Sequence, residues 1–248
     1  MGDAKVRLYV EQPLGQGQSV ALTREQAHYL FGVMRLAEGA ALTVFNGRDG
    51  EWRAGVAEAG KRGGTLTCVT QTAPQGAPPD LWLLFAPIKK ARTDFIVEKA
   101  VEMGAARICP VQTDFTNSER IRRDRLQAHA TEAAEQCGIT YVPEVADLVR
   151  LDRLLADWPP DRHLFFCDEA LAGEKASSFS KYSGGPGAAP PAAAILIGPE
   201  GGFSEHERDR LSALAFTKPV ALGPRILRAD TAAVAALALW QSGAGDWR

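Results

Sequence analysis

The chain of 248 residues has few of the side chains that build metal centres or disulfide frameworks. It contains four cysteines and four histidines, all scattered; no CxxC pair occurs and the histidines lack metal-ligand spacing. We therefore expect reduced, mostly buried thiols and no bound metal. The cysteines are Cys68, Cys109, Cys137 and Cys167.

Long apolar runs are also absent, and none approaches the length of a bilayer span. Residues 1–11 carry charges and lack the apolar core of a signal peptide. A hydrophobic fraction of 46% with 23% charged residues is ordinary for a globular protein with a sizeable core. The sequence therefore predicts a cytoplasmic protein with no membrane partner.

Net charge is low, at −2, whereas proteins that coat nucleic acid are usually strongly basic. Any RNA binding must therefore use local patches, although such clusters are more often solvated surface than binding sites. The candidate cations are Lys89, Lys90, Arg92, Arg120, Arg122, Arg123 and Arg125.

Two stretches rich in proline and glycine, residues 73–80 and 183–191, are typical of linkers or loops. The first predicts a domain boundary between residues 1–73 and 74–248. The first part shows short strand patterns, one helix over residues 24–34, and turn chemistry at Asn46-Gly47 and Asp49-Gly50. It is compatible with a small β-rich barrel. Its predicted strands are 6–10, 41–45, 52–56 and 65–69.

The second part alternates apolar strands with helices, which predicts an α/β domain with a parallel sheet. Ser204 and Glu207 form a capping box for one helix, and Asp230 is a candidate cap for an apolar helix over residues 231–241. Ligands in such sheets bind at the carboxyl ends of strands. The predicted strands are 81–86, 108–111, 163–167, 193–197 and 220–222, and the remaining helices are 96–103, closed by Gly104, and 122–137, closed by Gly138.

Two glycine-containing loops follow predicted strands. Residues 197–204, Ile-Gly-Pro-Glu-Gly-Gly-Phe-Ser, lead into the capped helix, where glycines allow close approach to a ligand and peptide N–H groups can bind it. The loop matches neither a Walker loop nor G-x-G-x-x-G, and a tight structural turn explains it equally well. Residues 222–231 hold two arginines and an aspartate beside an apolar helix. Charges there are usually paired and often functional, with a structural Arg–Asp pair as the alternative.

Taken together, these loops resemble the paired C-terminal signature of the RsmE family in the SPOUT superfamily. The quoted segments are Leu-Ile-Gly-Pro-Glu-Gly-Gly-Phe-Ser (196–204) and Leu-Gly-Pro-Arg-Ile-Leu-Arg (222–228). The resemblance extends over nearly the whole chain. Its other segments are Arg7-Leu-Tyr9, His28-Tyr-Leu-Phe-Gly-Val-Met-Arg35, Glu98-Lys99 with Glu102-x-Gly104, Ser118-Glu119-Arg120 and Glu132-Ala-Ala-Glu-Gln-Cys-Gly138.

The resemblance implies an N-terminal PUA-like barrel, a C-terminal SPOUT domain with a trefoil knot, and a homodimer. It implies S-adenosylmethionine as methyl donor and N3 of the uridine at position 1498 of 16S rRNA, in the small ribosomal subunit, as acceptor. The implied cofactor-binding residues are Cys167, Ile197, Gly198, Pro199, Glu200, Gly201, Leu222, Gly223, Ile226 and Leu227. The RNA-binding candidates are Arg7, His28, Arg35, Lys89 and Arg120.

The chemistry suggests catalytic candidates. Uridine N3 is a poor nucleophile until its imide proton leaves, and the resulting charge spreads onto O2 and O4. Arg228 or Arg225 could stabilise that charge, and Asp230 or Glu200 could accept the proton. The methyl group is already activated by its sulfonium, so no metal is required.

Other functions stay open on the sequence alone. A ribose 2′-O or guanine N1 methyltransferase would share the superfamily. The chain departs from the family pattern at three places, since the family usually has arginine at Gly32 and Ile139 and Thr-Glu at Ala229-Asp230. The departures at Gly32 and Ala229-Asp230 suggest a non-catalytic RNA-binding protein as an alternative. A nucleotide- or NAD-binding enzyme is disfavoured because the phosphate-loop motifs are absent.

Overall fold

The computed structural model describes residues 6–117, 120–183 and 188–248. The chain divides into two compact units. One comprises the residues up to Ala77 together with Ala134–Val142, and the other comprises Pro78–Ala133 and Pro143–Arg248. Within the described ranges, no helix is both long and apolar enough to cross a membrane.

The first unit is built on a five-stranded sheet in the order β1-β3-β4-β5-β2. Its strands are β1 (Arg7–Tyr9), β2 (Ser19–Ala21), β3 (Ala41–Phe45), β4 (Glu51–Ala59) and β5 (Gly64–Ala73). β1 pairs with β3 in parallel, and the other pairs are antiparallel. Three register shifts between β4 and β5 bend this ribbon, which curls the sheet around an apolar core.

The predicted turn chemistry and strands of this unit are confirmed, with one strand missed. Gly47 and Gly50 have positive φ angles, and the Asn46 side chain accepts from the peptide N–H of Asp49. The missed strand, β2, has only three residues, and its single buried residue, Val20, gives no alternating pattern to read.

The single helix predicted over residues 24–34 is wrong in detail. A capping box between Thr23 and Gln26 starts helix α1 (Arg24–Ala27), which continues as a π-helix (His28–Val33). The wider turns of the π-helix thus replace the second half of the single helix that was predicted. Arg35 follows with φ of 56°.

The second unit has a parallel sheet in the order β12-β10-β11-β6-β7-β8, with β9 pairing to β7. The strands are β6 (Leu81–Phe85), β7 (Arg107–Gln112), β8 (Glu144–Val145), β9 (Val149–Arg150), β10 (His163–Cys167), β11 (Ala193–Ile197) and β12 (Thr217–Val220). Nearly every residue of β6, β10 and β11 is buried, which explains their continuous apolar sequences.

The chain returns from β11 to the far side of β10, where β12 forms the edge. The prediction of a last strand at residues 220–222 is wrong, because β12 ends at Val220. Pro219 conceals this strand in the sequence, and an edge strand tolerates the missing donor. Threading of the chain into a knot, as the resemblance implies, stays a prediction.

Helices α2 to α6 accompany this sheet. They are α2 (Lys90–Glu102), α3 (Arg123–Cys137), α4 (Leu151–Ala156), α5 (Glu205–Ala213) and α6 (Ala229–Gly243), with short 3₁₀ turns at Glu169–Leu171 and Ser180–Tyr182. The predicted capping box of Ser204 and Glu207 is confirmed at the start of α5. The cap predicted at Asp230 is wrong, because α6 begins earlier, with Arg228 at its N-cap.

Candidate active site

Three adjacent strands of the second unit end at the same level of the sheet. Cys167, the last residue of β10, lies in register with Ile197 of β11 and with Val220 of β12. The loops that follow therefore leave the sheet side by side, together with the first turn of α6. They enclose a cavity of about 210 Å³, which lies where parallel sheets usually bind ligands.

Nearly all of the predicted cofactor-binding residues line this cavity. They are Cys167, Ile197, Gly198, Pro199, Glu200, Leu222, Gly223, Ile226 and Leu227. Gly201 does not line it; a Cβ at Gly201 would lie 3.3 Å from the Cβ of Phe115. The cavity thus brings together two sequence segments that are about twenty residues apart.

The backbone around the cavity is held by hydrogen bonds between main-chain groups. The peptide N–H of Gly202 donates to the carbonyl of Pro199 at 2.9 Å, which closes a tight turn after β11. Gly223 has φ of 113°, and a Cβ there would meet nothing within 4 Å. A segment after β10 covers the second loop, since the N–H of Ser177 donates to the carbonyl of Ala221 at 2.9 Å.

The four catalytic candidates separate into two groups. Arg225, Arg228 and Glu200 line the cavity and are exposed. Asp230 does not line it; its carboxylate lies 3.8 Å from Nε of Arg92 and accepts from the peptide N–H of Thr231. Within residues 6–117, 120–183 and 188–248, neither Arg225 nor Arg228 forms an ion pair. Both guanidinium groups are therefore available to a ligand.

Two carboxylates at the cavity were missed from the sequence. Asp168 and Glu169 follow β10 directly and line the cavity. Arg208 of α5 donates to both, with 3.0 Å from its Nε to Asp168 and 2.9 Å from its Nη2 to Glu169. These hydrogen bonds and charges raise the pKa of Arg208. The sequence feature that could have identified them is a pair of acidic residues immediately after an apolar strand.

The thiol of Cys167 is buried at the base of the cavity. Burial raises its pKa to about 12, so the group is neutral at physiological pH. It therefore contributes a small apolar surface rather than a nucleophile. Among the described residues, no group of three or more His, Cys, Asp or Glu side chains could hold a metal ion.

The predicted RNA-binding residues are distributed over both units. In the first, His28 and Arg35 are exposed. The guanidinium of Arg7 is engaged within the protein: Nε lies 2.8 Å from Glu51, and its two other nitrogens donate to the carbonyls of Ala134 and Ile139. A phosphate contact by Arg7 stays a prediction.

In the second unit, Lys89 and Arg120 are exposed. Arg120 lines a cleft of about 350 Å³ with Lys90, Arg122 and Arg125. Arg125 makes a bidentate pair with Asp94, at 2.6 and 2.9 Å, so part of this positive charge is already neutralised. Ser118 and Glu119, which contribute to the family resemblance, lie outside the described residues.

Comparison with protein families places this site in a known class. The family model for the RNA methyltransferase domain matches residues 75–241, and the model for the RNA methyltransferase PUA domain matches residues 22–67. An enzyme with the α/β architecture, the strand-end cavity and these two domains is an RNA methyltransferase.

The relatives narrow the class. Ribosomal RNA small subunit methyltransferase E of Synechocystis is 31% identical over 89% of this chain and 72% of its own. The protein of that name from Rickettsia conorii is 28% identical over 94% of this chain and 93% of its own. The chain belongs to the ribosomal RNA small subunit methyltransferase E (RsmE) family, and the resemblance read from its sequence is confirmed.

Solved structures agree with this assignment. A ribosomal RNA small subunit methyltransferase E from Neisseria gonorrhoeae, bound to S-adenosylmethionine, superposes with a TM-score of 0.85 and 26% identity. That alignment covers 98% of this chain and 99% of the other. A Legionella pneumophila methyltransferase with bound S-adenosylmethionine also gives 0.85, at 28% identity over 97% and 98% of the two chains. The predicted combination of a PUA-like domain and a SPOUT-type parallel-sheet domain is confirmed.

Proposed function

We propose that this protein transfers a methyl group from S-adenosylmethionine to N3 of the uridine at position 1498 of 16S rRNA. The observation that carries the proposal is the cavity of about 210 Å³ between the loops after β10, β11 and β12. It is supported by the family membership and by the S-adenosylmethionine bound in two structural relatives. A ribosomal substrate also agrees with the cytoplasmic location predicted from the sequence.

The lining of the cavity fits this cofactor. Ile197, Leu222 and Leu227 offer apolar contact to a purine ring. The carboxylates of Asp168 and Glu169 also line the cavity and attract the positive charge of the cofactor. S-adenosylmethionine supplies an electrophilic methyl group on a positively charged sulfur. Peptide groups of the two glycine-containing loops that line the cavity can hydrogen-bond the adenine and the ribose, because glycine brings the backbone close to a ligand.

Arg228 and Arg225 would stabilise the reacting uridine. When N3 loses its proton, negative charge develops on O2 and O4 of the base. A guanidinium already fixed beside these oxygens stabilises that charge without reorganisation during the reaction. Both side chains line the cavity and lack an ion-pair partner among the described residues.

Glu200 is the better candidate for accepting the N3 proton. It follows β11, lines the cavity and is exposed to an incoming base. Asp230, the alternative, does not line the cavity and lies 3.8 Å from the cationic Arg92. A carboxylate must come within hydrogen-bond reach of the proton that it takes, which favours Glu200.

The RNA would be guided by exposed cations outside the cavity. Arg35, Lys89 and Arg120 are exposed and could contact phosphates, which position RNA without specifying its sequence. An unstacked nucleotide is the form in which a base of folded RNA becomes accessible.

A homodimer is part of the proposal. Helix α6 is apolar on every side from Ala232 to Trp240, and four residues of this stretch are only half-buried within one chain, namely Val234, Ala235, Ala238 and Leu239. A second copy would cover this stripe. Light scattering should give twice the mass of the chain, and a Leu239→Asp variant should shift it towards the monomer. A wild-type mass of one chain at micromolar concentration would exclude the dimer.

Methyl transfer to small ribosomal subunits that lack the modification tests the activity. Digestion and mass spectrometry should give 3-methyluridine at the proposed position. A ribose-methylated nucleoside or 1-methylguanosine would assign one of the other superfamily activities, and failure to bind S-adenosylmethionine in calorimetry would favour a non-catalytic RNA-binding protein.

Variants separate the roles within the cavity. Arg228→Ala should lower turnover by about 10²–10³-fold while the Kd for S-adenosylmethionine stays nearly unchanged. Arg153→Ala, which removes an exposed arginine away from the cavity, is the matched control. Unchanged turnover in Arg228→Ala would remove this residue from the mechanism.

A further inference from the structure

The first unit contains a recess that the proposed chemistry does not use. It has a volume of about 470 Å³ and lies between the π-helix and the turn that joins β4 to β5. The helix contributes His28, Phe31 and Gly32, and the turn contributes Lys61. Ala27, Ala59 and Gly60 complete the lining. Among the residues that the structure describes, no carboxylate lines the recess, and Lys61 gives it a positive charge.

The rings of Phe31 and His28 each lie beside a glycine. A Cβ at Gly64 would lie 2.6 Å from Cε2 of Phe31, so the phenyl ring packs directly against the backbone of β5. A Cβ at Gly32 would lie 3.0 Å from Nδ1 of His28, so the imidazole lies beside a position without a side chain. The absence of a side chain at Gly32 therefore keeps the recess open between two flat rings.

The surface around the recess has further features of a binding site. Tyr29 and Val33 of the same π-helix and Met34 at its C-cap are exposed, with fractional exposures of 37%, 59% and 39%. π-Helices are rare and occur frequently at functional sites. Arg35 follows immediately with φ of 56°, and strained backbone of this kind also concentrates at such sites.

We propose that this recess binds an unstacked nucleobase of the RNA substrate. The base stacks on Phe31 and His28, and Lys61 binds the phosphate beside it. This inference rests on the proposed function, because it concerns the same RNA. Flat rings with an adjacent cation are what proteins use to hold single-stranded bases.

Three variants test the recess. Gly32→Leu fills it at a position whose backbone φ is not in the left-handed region, His28→Ala removes one exposed ring, and Lys61→Gln removes the cation. Gly15→Leu is the control, since a Cβ at Gly15 meets nothing within 4 Å and also has no φ restriction. Thermal unfolding of each variant establishes that the fold is kept.

Kinetics on unmethylated small ribosomal subunits supply the first readout. We expect Gly32→Leu and His28→Ala to raise the KM for subunits about tenfold, as loss of one stacked base should. The kcat at saturating subunits and the Kd for S-adenosylmethionine should stay at wild-type values. Lys61→Gln should reduce the slope of the logarithm of the subunit binding constant against the logarithm of the salt concentration by about one unit. A KM unchanged in both Gly32→Leu and His28→Ala overturns the inference.

Cross-linking supplies a readout that does not depend on catalysis. Small-subunit RNA containing 4-thiouridine should cross-link on irradiation to the peptide that carries residues 28–35, and Gly32→Leu should abolish that cross-link. Cross-links confined to other peptides overturn the inference. If the wild-type protein cross-links here but methylates no uridine, the proposed function fails and the nucleobase site stands.

Discussion

Gly202 and Glu169 are packed so closely that no other residue can replace the glycine without displacing the carboxylate. A Cβ at Gly202 would lie 1.4 Å from Oε1 of Glu169, and Gly202 itself has φ of 67°. Glu169 is fixed in turn by Arg208, at 2.9 Å. The loop after β11 is thus supported by an acidic residue after β10, and both line or border the cofactor cavity.

Gly202→Ala should disrupt this support. The methyl group would have to displace Glu169, and alanine would occupy a left-handed backbone position that costs it energy. We expect a loss of about 2 kcal/mol in the free energy of unfolding and weaker binding of S-adenosylmethionine in calorimetry. Gly63→Ala is the control, because its Cβ would meet nothing within 4 Å at an unrestricted φ. Wild-type affinity in Gly202→Ala would contradict this account of the loop.

Arg208→Ala should weaken cofactor binding, because Arg208 fixes two carboxylates that line the same cavity. Its removal leaves Asp168 and Glu169 without their shared cation, and the Asp168 side chain is only 10% exposed. The two like charges would repel and move, so the Kd for S-adenosylmethionine should rise about tenfold. Arg208→Lys should rescue little, because an ammonium group cannot donate to both carboxylates in the same geometry. Arg210→Ala, on the same helix, should bind as the wild type does; equal effects of the two alanine variants would argue against a specific role.

Arg7→Gln should destabilise the first unit. The guanidinium donates to Glu51 and to two backbone carbonyls, and it lies 3.8 Å above the ring of Phe45. Losing Arg7 leaves these partly buried acceptors unsatisfied, which should lower the free energy of unfolding in urea by about 2 kcal/mol. If Arg7 instead contacts phosphate, the variant will keep its stability. The slope of its RNA-binding constant against salt concentration, both as logarithms, will then fall by about one unit.

Two buried thiols should make stability fall at alkaline pH. Burial raises the pKa of Cys109 to about 11 and that of Cys167 to about 12. Above the ordinary thiol pKa of 9.0, the unfolded thiols release protons that the folded ones retain. The free energy of unfolding therefore decreases above this pH and is unaffected below it. Urea unfolding at pH 8 and pH 10 should show that Cys167→Ala loses about 1 kcal/mol less than the wild type between these values. Equal losses would contradict the assigned burial effect.

Local sequence patterns predicted many of the strands and helices. The continuous apolar runs at β6, β10 and β11 predict strands buried on both faces, because only such strands need no polar side. The capping box at Ser204 and Glu207 predicts the start of α5, because the side-chain oxygen of each residue accepts a hydrogen bond from the backbone N–H of the other. Where the local signal is weak, the prediction failed: Pro219 conceals β12, and the π-helix breaks the expected periodicity after Ala27.

The candidate site was predicted only in part. The loops at residues 197–201 and 222–228 were identified by their glycines and by family resemblance, and most of their residues line one cavity. Asp168, Glu169 and Arg208 were missed because their association spans about forty residues of sequence and depends on how α5 packs. Asp230 was a candidate because it lies near Arg228 in sequence, yet its carboxylate is directed to Arg92.

The sequence by itself determined where the longer buried strands, the capped helix α5 and the glycine-containing turns form, since these depend on side-chain pattern and on backbone freedom within a few residues. The tertiary structure alone decided which strand ends are neighbours. The register of Cys167 with Ile197 and Val220 results from the sheet order β12-β10-β11, which no local pattern contains. The cavity exists because hydrogen bonds between distant strands align three loops at one edge.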